Sequence, residues 1–349
     1  MTMGRMIRVL AAVVASSCGA LLHSCGAAEV PEGVTERYLG RVDGSLHHFL
    51  KSATSQGCHL ATVMKVGLKM TVVVDAQAGP KYDEIPKASV VFSSDGKRFA
   101  YTARKGDRWL VVVDGQPGAE HDRMADGSPL FSPDGSRIAY VAKEGDKSFV
   151  VVDGQRGPEY DEVGDWGRLL FSLDGKRLAY SARQEHKWLV VIEGQPGPVY
   201  DGIMERTPVF SPDGERVAYG AKKADKWLVV LDGQPGPEYD GILEGTPVFS
   251  PDGRRVAYGA GKGGKWFVVV DGQPGPEYDG ILAGTPVFSP DGKRVAYAAG
   301  KGDKWCVVVD GQLGPEYDGI AVGPVFLKDG GLEYISTKGD MLYRVNHRP

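Results

Sequence analysis

The sequence predicts an all-β protein, a β-propeller of four-stranded blades, on three observations. One phrase, Phe-Ser-Pro-Asp-Gly or a close variant, recurs at Phe92, Phe131, Phe171, Phe210, Phe249, Phe288 and Phe326, in steps of 39, 40, 39, 39, 39 and 38 residues. Roughly 40 residues is the period of blade-forming units. Each repeat also holds short apolar runs between Gly- and Pro-rich turns. One of those runs, Trp266-Phe267-Val268-Val269-Val270 in its best copy, lacks polar alternation, as expected of a strand buried on both faces.

Residues 1–28 read as a secretory signal. Arg5 and Arg8 form a basic start, Val9 to Leu22 is apolar, and Ser24, Gly26, Ala27 and Ala28 are small. The apolar run is too short and too interrupted to span a membrane. Leu22-His23-Ser24-Cys25 resembles a bacterial lipobox, which makes Cys25 a candidate for lipidation; Ala15-Ser16-Ser17-Cys18 is a weaker match. The alternative is ordinary cleavage near Ala27 or Ala28. Both place the chain outside the cytoplasm, in the periplasm, on the outer membrane as a lipoprotein, or outside the cell. Residues 29–48 form an N-terminal segment, and the propeller occupies 49–349.

Losing Arg5 and Arg8 with the signal takes the formal charge from −4 to −6. Acids and bases are interspersed without a basic run, which argues against a nucleic-acid partner. Cys58 and Cys306 lie in different repeats, outside any CxxC pair, and read as two free thiols.

The copy from Thr246 to Leu282 shows the expected order of elements. Thr246 to Ser250 is a short strand, and Asp252-Gly253 turns it as a hairpin. Arg255 to Ala260 is a second strand, Gly261 to Lys265 a polar loop, and Trp266 to Val270 the third strand. Pro274-Gly275 suits a type II turn. Glu277 to Ile281 reads as a polar outer strand.

Thr71-Val72-Val73-Val74-Asp75 lies 39 residues before Leu110-Val111-Val112-Val113-Asp114, so residues 49–85 are a degenerate first copy. Pro324 to Asn346 supplies only three strands. Arg41-Val42-Asp43-Gly44 resembles the outer-strand phrase Glu238-Tyr239-Asp240-Gly241. Eight blades closed by an N-terminal strand are therefore expected, with seven as the alternative if the degenerate copy forms no full sheet.

The phrase Phe-Ser-Pro-Asp-Gly-Lys/Arg-Arg-Val-Ala-Tyr resembles the TolB-type, WD-like propeller repeat of bacterial envelope proteins. The match is closest at 210–219, 249–258 and 288–297, and it covers about residues 49–346. The resemblance implies an architecture and a compartment. It implies no reaction, because that repeat serves scaffolds, peptidases and lyases alike. TolB carries a sizeable domain before its propeller, where this sequence has about 20 residues between signal and first copy.

Recurrent residues are read as scaffold. The Asp of each Asp-Gly pair serves its turn. The Glu-Tyr-Asp phrases place Tyr inward and charge on an outer edge, where it discourages aggregation. The Trp residues opening the third strands pack between blades. No histidine spacing suits a metal, and neither GxSxG nor GxxxxGK[ST] occurs. No cofactor and no metal are expected.

Residues that break the pattern carry the functional expectation. The loops entering each blade's first strand share a face with the loops between the second and third strands. In one, Gly164-Asp165-Trp166-Gly167-Arg168 replaces the Gly-Ile-Leu-x-Gly-Thr-Pro of later blades. Asp165, Trp166 and Arg168 could stack on and hydrogen-bond a planar or sugar ligand. His186, Glu205, Arg206 and Glu244 belong to the same face, with Asp126 beside them. Thr207, Thr246 and Thr285 are expected to ring the channel mouth.

These readings favour a non-enzymatic, monomeric envelope module that binds a protein or glycan. The alternative is a propeller lyase or hydrolase acting on extracellular polysaccharide or peptide, built from loop-face acids, Arg168 and His186. Deletion of residues 29–48 is expected to lower the melting temperature markedly, and an unchanged melting temperature rules out the closing strand.

Overall fold

The computed structural model describes residues 49–54, 57–125, 129–164 and 169–347. The signal, Cys25 and the expected closing segment lie outside the described residues. The chain divides into two compact units, residues 1–138 with 142–144 and residues 139–141 with 145–349. Eight antiparallel sheets follow one another along the described residues, numbered here as blades 1 to 8. The only helix among these residues is the 3-10 turn Lys87–Ser89. The all-β fold of propeller blades is the one the repeat predicts.

Blade 1 is a full four-stranded sheet of Phe49–Thr54, Gly57–Val66, Lys69–Val74 and Gln77–Ala78. The degenerate first copy thus does form a blade. Blade 8 has three strands, Gly319–Phe326, Leu332–Lys338 and Met341–His347. Its third strand leaves Met341, Leu342 and Tyr343 exposed.

Blade 6 shows how sequence becomes sheet. Val256–Lys262 pairs with Lys265–Val270 along their full length. Phe267, Val268 and Val269 are all buried. Phe267 and Val269 pack with Tyr239 and Val229 of blade 5, whereas Val268 packs with Tyr297 and Val308 of blade 7. A strand with a blade on each side has no solvent face, hence the missing polar alternation.

The Asp252-Gly253 turn joins the antiparallel pair Val248–Phe249 and Val256–Ala257, as expected. Two details differ from the sequence expectation. A second, two-residue hairpin lies at Asp271-Gly272, which joins the paired residues Val270 and Gln273. Asp271 and Gly272 have φ of 51° and 78°, both positive as a type I′ turn requires. Pro274-Gly275 is therefore no type II turn; Pro274 sits in the edge strand Gln273–Pro274, where its missing N–H costs no ladder bond. The segment Glu277 to Ile281 is not one outer strand. Tyr278 bridges back to Trp266, while Gly280–Ile281 crosses to pair with Val295–Lys301 of blade 7.

The Ser-Pro-Asp-Gly segment is a four-residue turn, with the Gly253 amide donating to the Ser250 carbonyl. The Ser250 hydroxyl donates to Asp252 at 2.5 Å and accepts from the Arg255 amide at 2.9 Å. Gly253 is needed twice over. Its φ is +72°, and an added Cβ would lie 2.7 Å from the Asp213 carboxylate of blade 5.

One arginine joins neighbouring blades at that end. Arg255 Nε donates to Asp271 of its own blade at 2.8 Å. Its Nη1 donates to the Lys293 carbonyl of blade 7 at 2.5 Å, and the guanidinium lies 5.4 Å from the Phe288 ring. Arg98 repeats the set with Asp114, Gly135, Ser136 and Phe131. Arg216 and Arg294 do so with Phe249 and Phe326. In blade 1 His59 takes the place, with Nδ1 2.6 Å from Asp75 and the ring 6.4 Å from Phe92.

Tyrosines also join neighbouring blades. Edge-to-face pairs recur at Tyr82–Tyr101, Tyr160–Tyr180, Tyr200–Tyr219, Tyr278–Tyr297 and Tyr317–Tyr334, with centroids 6.0–6.4 Å apart. Such pairs add about 0.5–1.5 kcal/mol each beyond area burial.

The two glycines give a direct test. Gly272→Ala meets no atom within 4 Å and is expected to cost about 1–2 kcal/mol from left-handed backbone alone. Gly253→Ala must also displace the Asp213 carboxylate and is expected to cost at least about 1 kcal/mol more. Urea denaturation of the two variants reads the difference, and equal costs would refute the close-approach role.

Candidate functional site

The two loop sets expected to share a face are built by different local chemistry. The turns between second and third strands are two residues long. Glu185 and His186 form one of them, with φ of 50° and 66°. His186 is exposed there, held by the Glu185 amide donating to Asp161 at 2.8 Å.

Asp161 illustrates what the Glu-Tyr-Asp phrases do. Its other oxygen accepts from Lys147 at 2.6 Å. Asp240 likewise joins Lys226 of blade 5 (2.6 Å) to the Gly263 amide of blade 6 (2.7 Å). Asp279 does the same with Lys265 and Gly302, and Asp318 with Lys304 and Gly339. The lysine hydrogen bond is the main cause that holds these carboxyls below their ordinary range, followed by the backbone amide. The same bonds raise Lys226, Lys265 and Lys304. The tyrosine between each acid pair is buried, as Tyr239 is at 6% exposure.

The loops entering blades 5, 6 and 7 carry the other candidates. Glu205, Arg206 and Glu244 are exposed at the tips. Thr207, Thr246 and Thr285 are engaged within their own turns. Their hydroxyls donate to the carbonyls of Met204, Leu243 and Leu282, at 2.6 Å in each case. Thr246 and Thr285 are 2% and 1% exposed. They fasten the turn. The Met204 and Leu243 side chains in turn lie directly over Gly220 and Gly259, where an added Cβ would come within 2.9 and 2.7 Å.

Asp126, Asp165, Trp166 and Arg168 lie outside the described residues. The described residues bring Glu205 and Arg206 together on one loop and place His186 and Glu244 on others. No group of three metal-ligating side chains occurs among them. Cys306 is a free, buried thiol, pushed up by desolvation.

A cavity of about 420 Å³ opens between blades 2 and 3, wholly within the first unit. Pro86, Ala88, Val91, Trp109, Met124, Ala125 and other groups line it, with Arg123 at its wall. Inspection of single motifs missed it, since none of these residues is unusual alone. The signal was available by alignment. Six residues before the anchoring Phe, blades 5, 6 and 7 have Met204, Leu243 and Leu282, whereas blades 2 and 3 have Pro86 and Ala125.

No protein-family model and no curated protein matches the chain. Solved structures similar to it include that of the eukaryotic initiation factor, at 9% identity over 90% of this chain and 92% of that one, with a TM-score of 0.41. TolB from Acinetobacter baumannii is similar at 16% identity, over 76% and 77% of the two chains, with a TM-score of 0.28. The Cps50 (Swd1) β-propeller domain of Myceliophteria thermophila is similar at 12%, over 76% and 98%, with a TM-score of 0.31. No helix among the described residues is long and apolar enough to cross a membrane.

The lysine–aspartate ties set a pH dependence. These carboxyls stay ionised in the folded chain below the unfolded value of about 3.9, so the unfolded state binds more protons there and stability falls. Asp134, held at about 2 by Ser132 and Ser136, follows the same sign. Denaturation midpoints are expected to be level near neutrality and to drop as pH falls from about 4 through the depressed folded values. The raised lysines lose their contribution as pH climbs past about 10.4. Constant midpoints between pH 6 and 3 would contradict this assignment.

Proposed function

We propose that the chain is an exported cell-envelope β-propeller serving as a non-enzymatic binding and scaffold module. It takes a protein or glycan partner on the face made by the inner-strand entry loops and the turns between second and third strands. The observation that carries the reading is the presentation of exposed tips at 205–206, 244–245 and 283–284 on turns fastened by threonine hydroxyls. A surface ordered before contact loses little entropy on binding. Recurrent polar groups are occupied within the scaffold, so partner choice falls to the residues that differ between copies. Trp166 and Arg168, on the loop entering blade 4, are the proposed anchors, since aromatic and Arg side chains dominate binding energy at interfaces. Export rests on the signal at residues 1–28, with Cys25 as the proposed anchor site.

Affinity capture from the native envelope tests the reading. Partners recovered by the wild-type chain should be lost with Trp166→Ala/Arg168→Ala or with Glu205→Ala/Arg206→Ala. They should persist with Lys293→Ala, which lies at the opposite end of its blade. Recovery of the same partners at the same levels by all variants would sink the proposal.

A further inference from the structure

Two departures from the repeat coincide at the cavity between blades 2 and 3. The first concerns volume. Met204 and Leu243 fill the space over Gly220 and Gly259 in blades 5 and 6. Pro86 and Ala125 stand at the corresponding positions of blades 2 and 3, and both line the open space. Thr102, the counterpart of Gly220, lines it too but does not close it.

The second departure concerns charge. Eight residues before the anchoring Phe, or nine in blade 4, lies a position paired across to the second strand. It is Glu84 opposite Arg104 in blade 2, and Glu162 opposite Arg183 in blade 4; both are ion pairs, at 3.0 and 2.8 Å. It is Gly202 opposite Lys222, Gly241 opposite Gly261 and Gly280 opposite Gly300 in blades 5 to 7. Blade 3 instead places Arg123 opposite Lys143. Like charges directly opposite in a ladder repel. No acid among the described residues pairs with Arg123, and Arg123 lines the cavity.

The remaining wall selects the rest of the ligand. Trp109 offers part of its indole, while Arg104 lies 5.8 Å from the ring without lining the cavity. Pro86, Ala88, Val91, Met124, Ala125 and Pro129 are apolar contacts. The Ser89 hydroxyl is already engaged, donating to the Pro86 carbonyl at 2.7 Å and accepting from the Thr102 amide at 3.2 Å. A sugar would bring several hydroxyls to a wall that leaves them unpaired, at a desolvation cost. A flat hydrocarbon ring bearing one carboxylate matches both the wall and the unbalanced cations.

We infer that this cavity is a binding site for a small aromatic carboxylate, its ring against Trp109 and its carboxylate on Arg123. The cavity shares no residue with the loop tips and stands whether or not they take a macromolecule.

Isothermal titration calorimetry of the full chain with 2-naphthoate is the test, with 2-naphthamide and glucuronate as comparison probes. Saturable binding of 2-naphthoate is expected, at least tenfold tighter than either comparison. Arg123→Gln should weaken it tenfold or more. Ala125→Leu, which restores the side chain of Leu243, should abolish it without lowering the melting temperature. Arg123→Glu, which restores the pairing seen in blades 2 and 4, should abolish binding and raise the melting temperature of the free protein. Absence of 2-naphthoate binding overturns the proposal, as does affinity unchanged by Ala125→Leu and Arg123→Gln. Glucuronate binding as well as 2-naphthoate overturns the ligand class.

Discussion

The arginine that follows the Asp-Gly turns of blades 2, 5, 6 and 7 supplies the interaction on which the rest of the structure hangs. A blade is a small sheet with two apolar faces and little stability alone, so its neighbours must be held in register. Arg255 binds Asp271 in its own sheet, a backbone carbonyl in the next, and the next anchoring Phe. A guanidinium suits this because its planar fork donates in several directions while its face stacks on a ring. An exposed Arg–Asp pair alone is worth little. The effect comes from repetition, with the same link at Arg98, Arg216 and Arg294.

The same economy explains where function can reside. The Asp of each Tyr-Asp phrase ties its own lysine to the following blade's turn. The Thr of each Thr-Pro closes its loop. Turn aspartates accept from Ser hydroxyls and backbone amides. A polar group bound this way is costly to divert to a ligand, since its partner would be left unsatisfied. The binding proposed above therefore falls to positions that the scaffold does not use, the loop tips of blades 5 to 7 and the Pro86–Ala125 cavity with Arg123.

Much of this was legible in advance, for reasons that particular residues make clear. Phe249 and its counterparts fixed the repeat, and Val268 with its unalternated neighbours required a blade on each side. Thr71 to Asp75 revealed the degenerate first blade. Asp271-Gly272 was harder to read, because Asp252-Gly253 carries the same dipeptide. Only the pairing of Val270 with Gln273 shows which of them is the two-residue hairpin. Gly280–Ile281 likewise carries no mark of crossing to another sheet, since two residues cannot display a period. Thr246 and Thr285 looked available because a sequence does not show that a hydroxyl is already bonded to a carbonyl three residues away.

By itself, then, the sequence determined the repeat, the first three strands of a blade, the burial of the third strand and the structural nature of its recurrent residues. These are consequences of local periodicity and turn chemistry, which act within a few residues. The tertiary structure decided which side chains meet across blades. Arg255 reaches Lys293, Gly253 leaves room for Asp213, and Pro86 and Ala125 line a cavity while Met204 and Leu243 lie close over Gly220 and Gly259. Those outcomes depend on residues roughly one repeat apart being brought side by side by sheet packing, a distance over which no local pattern in the chain carries information.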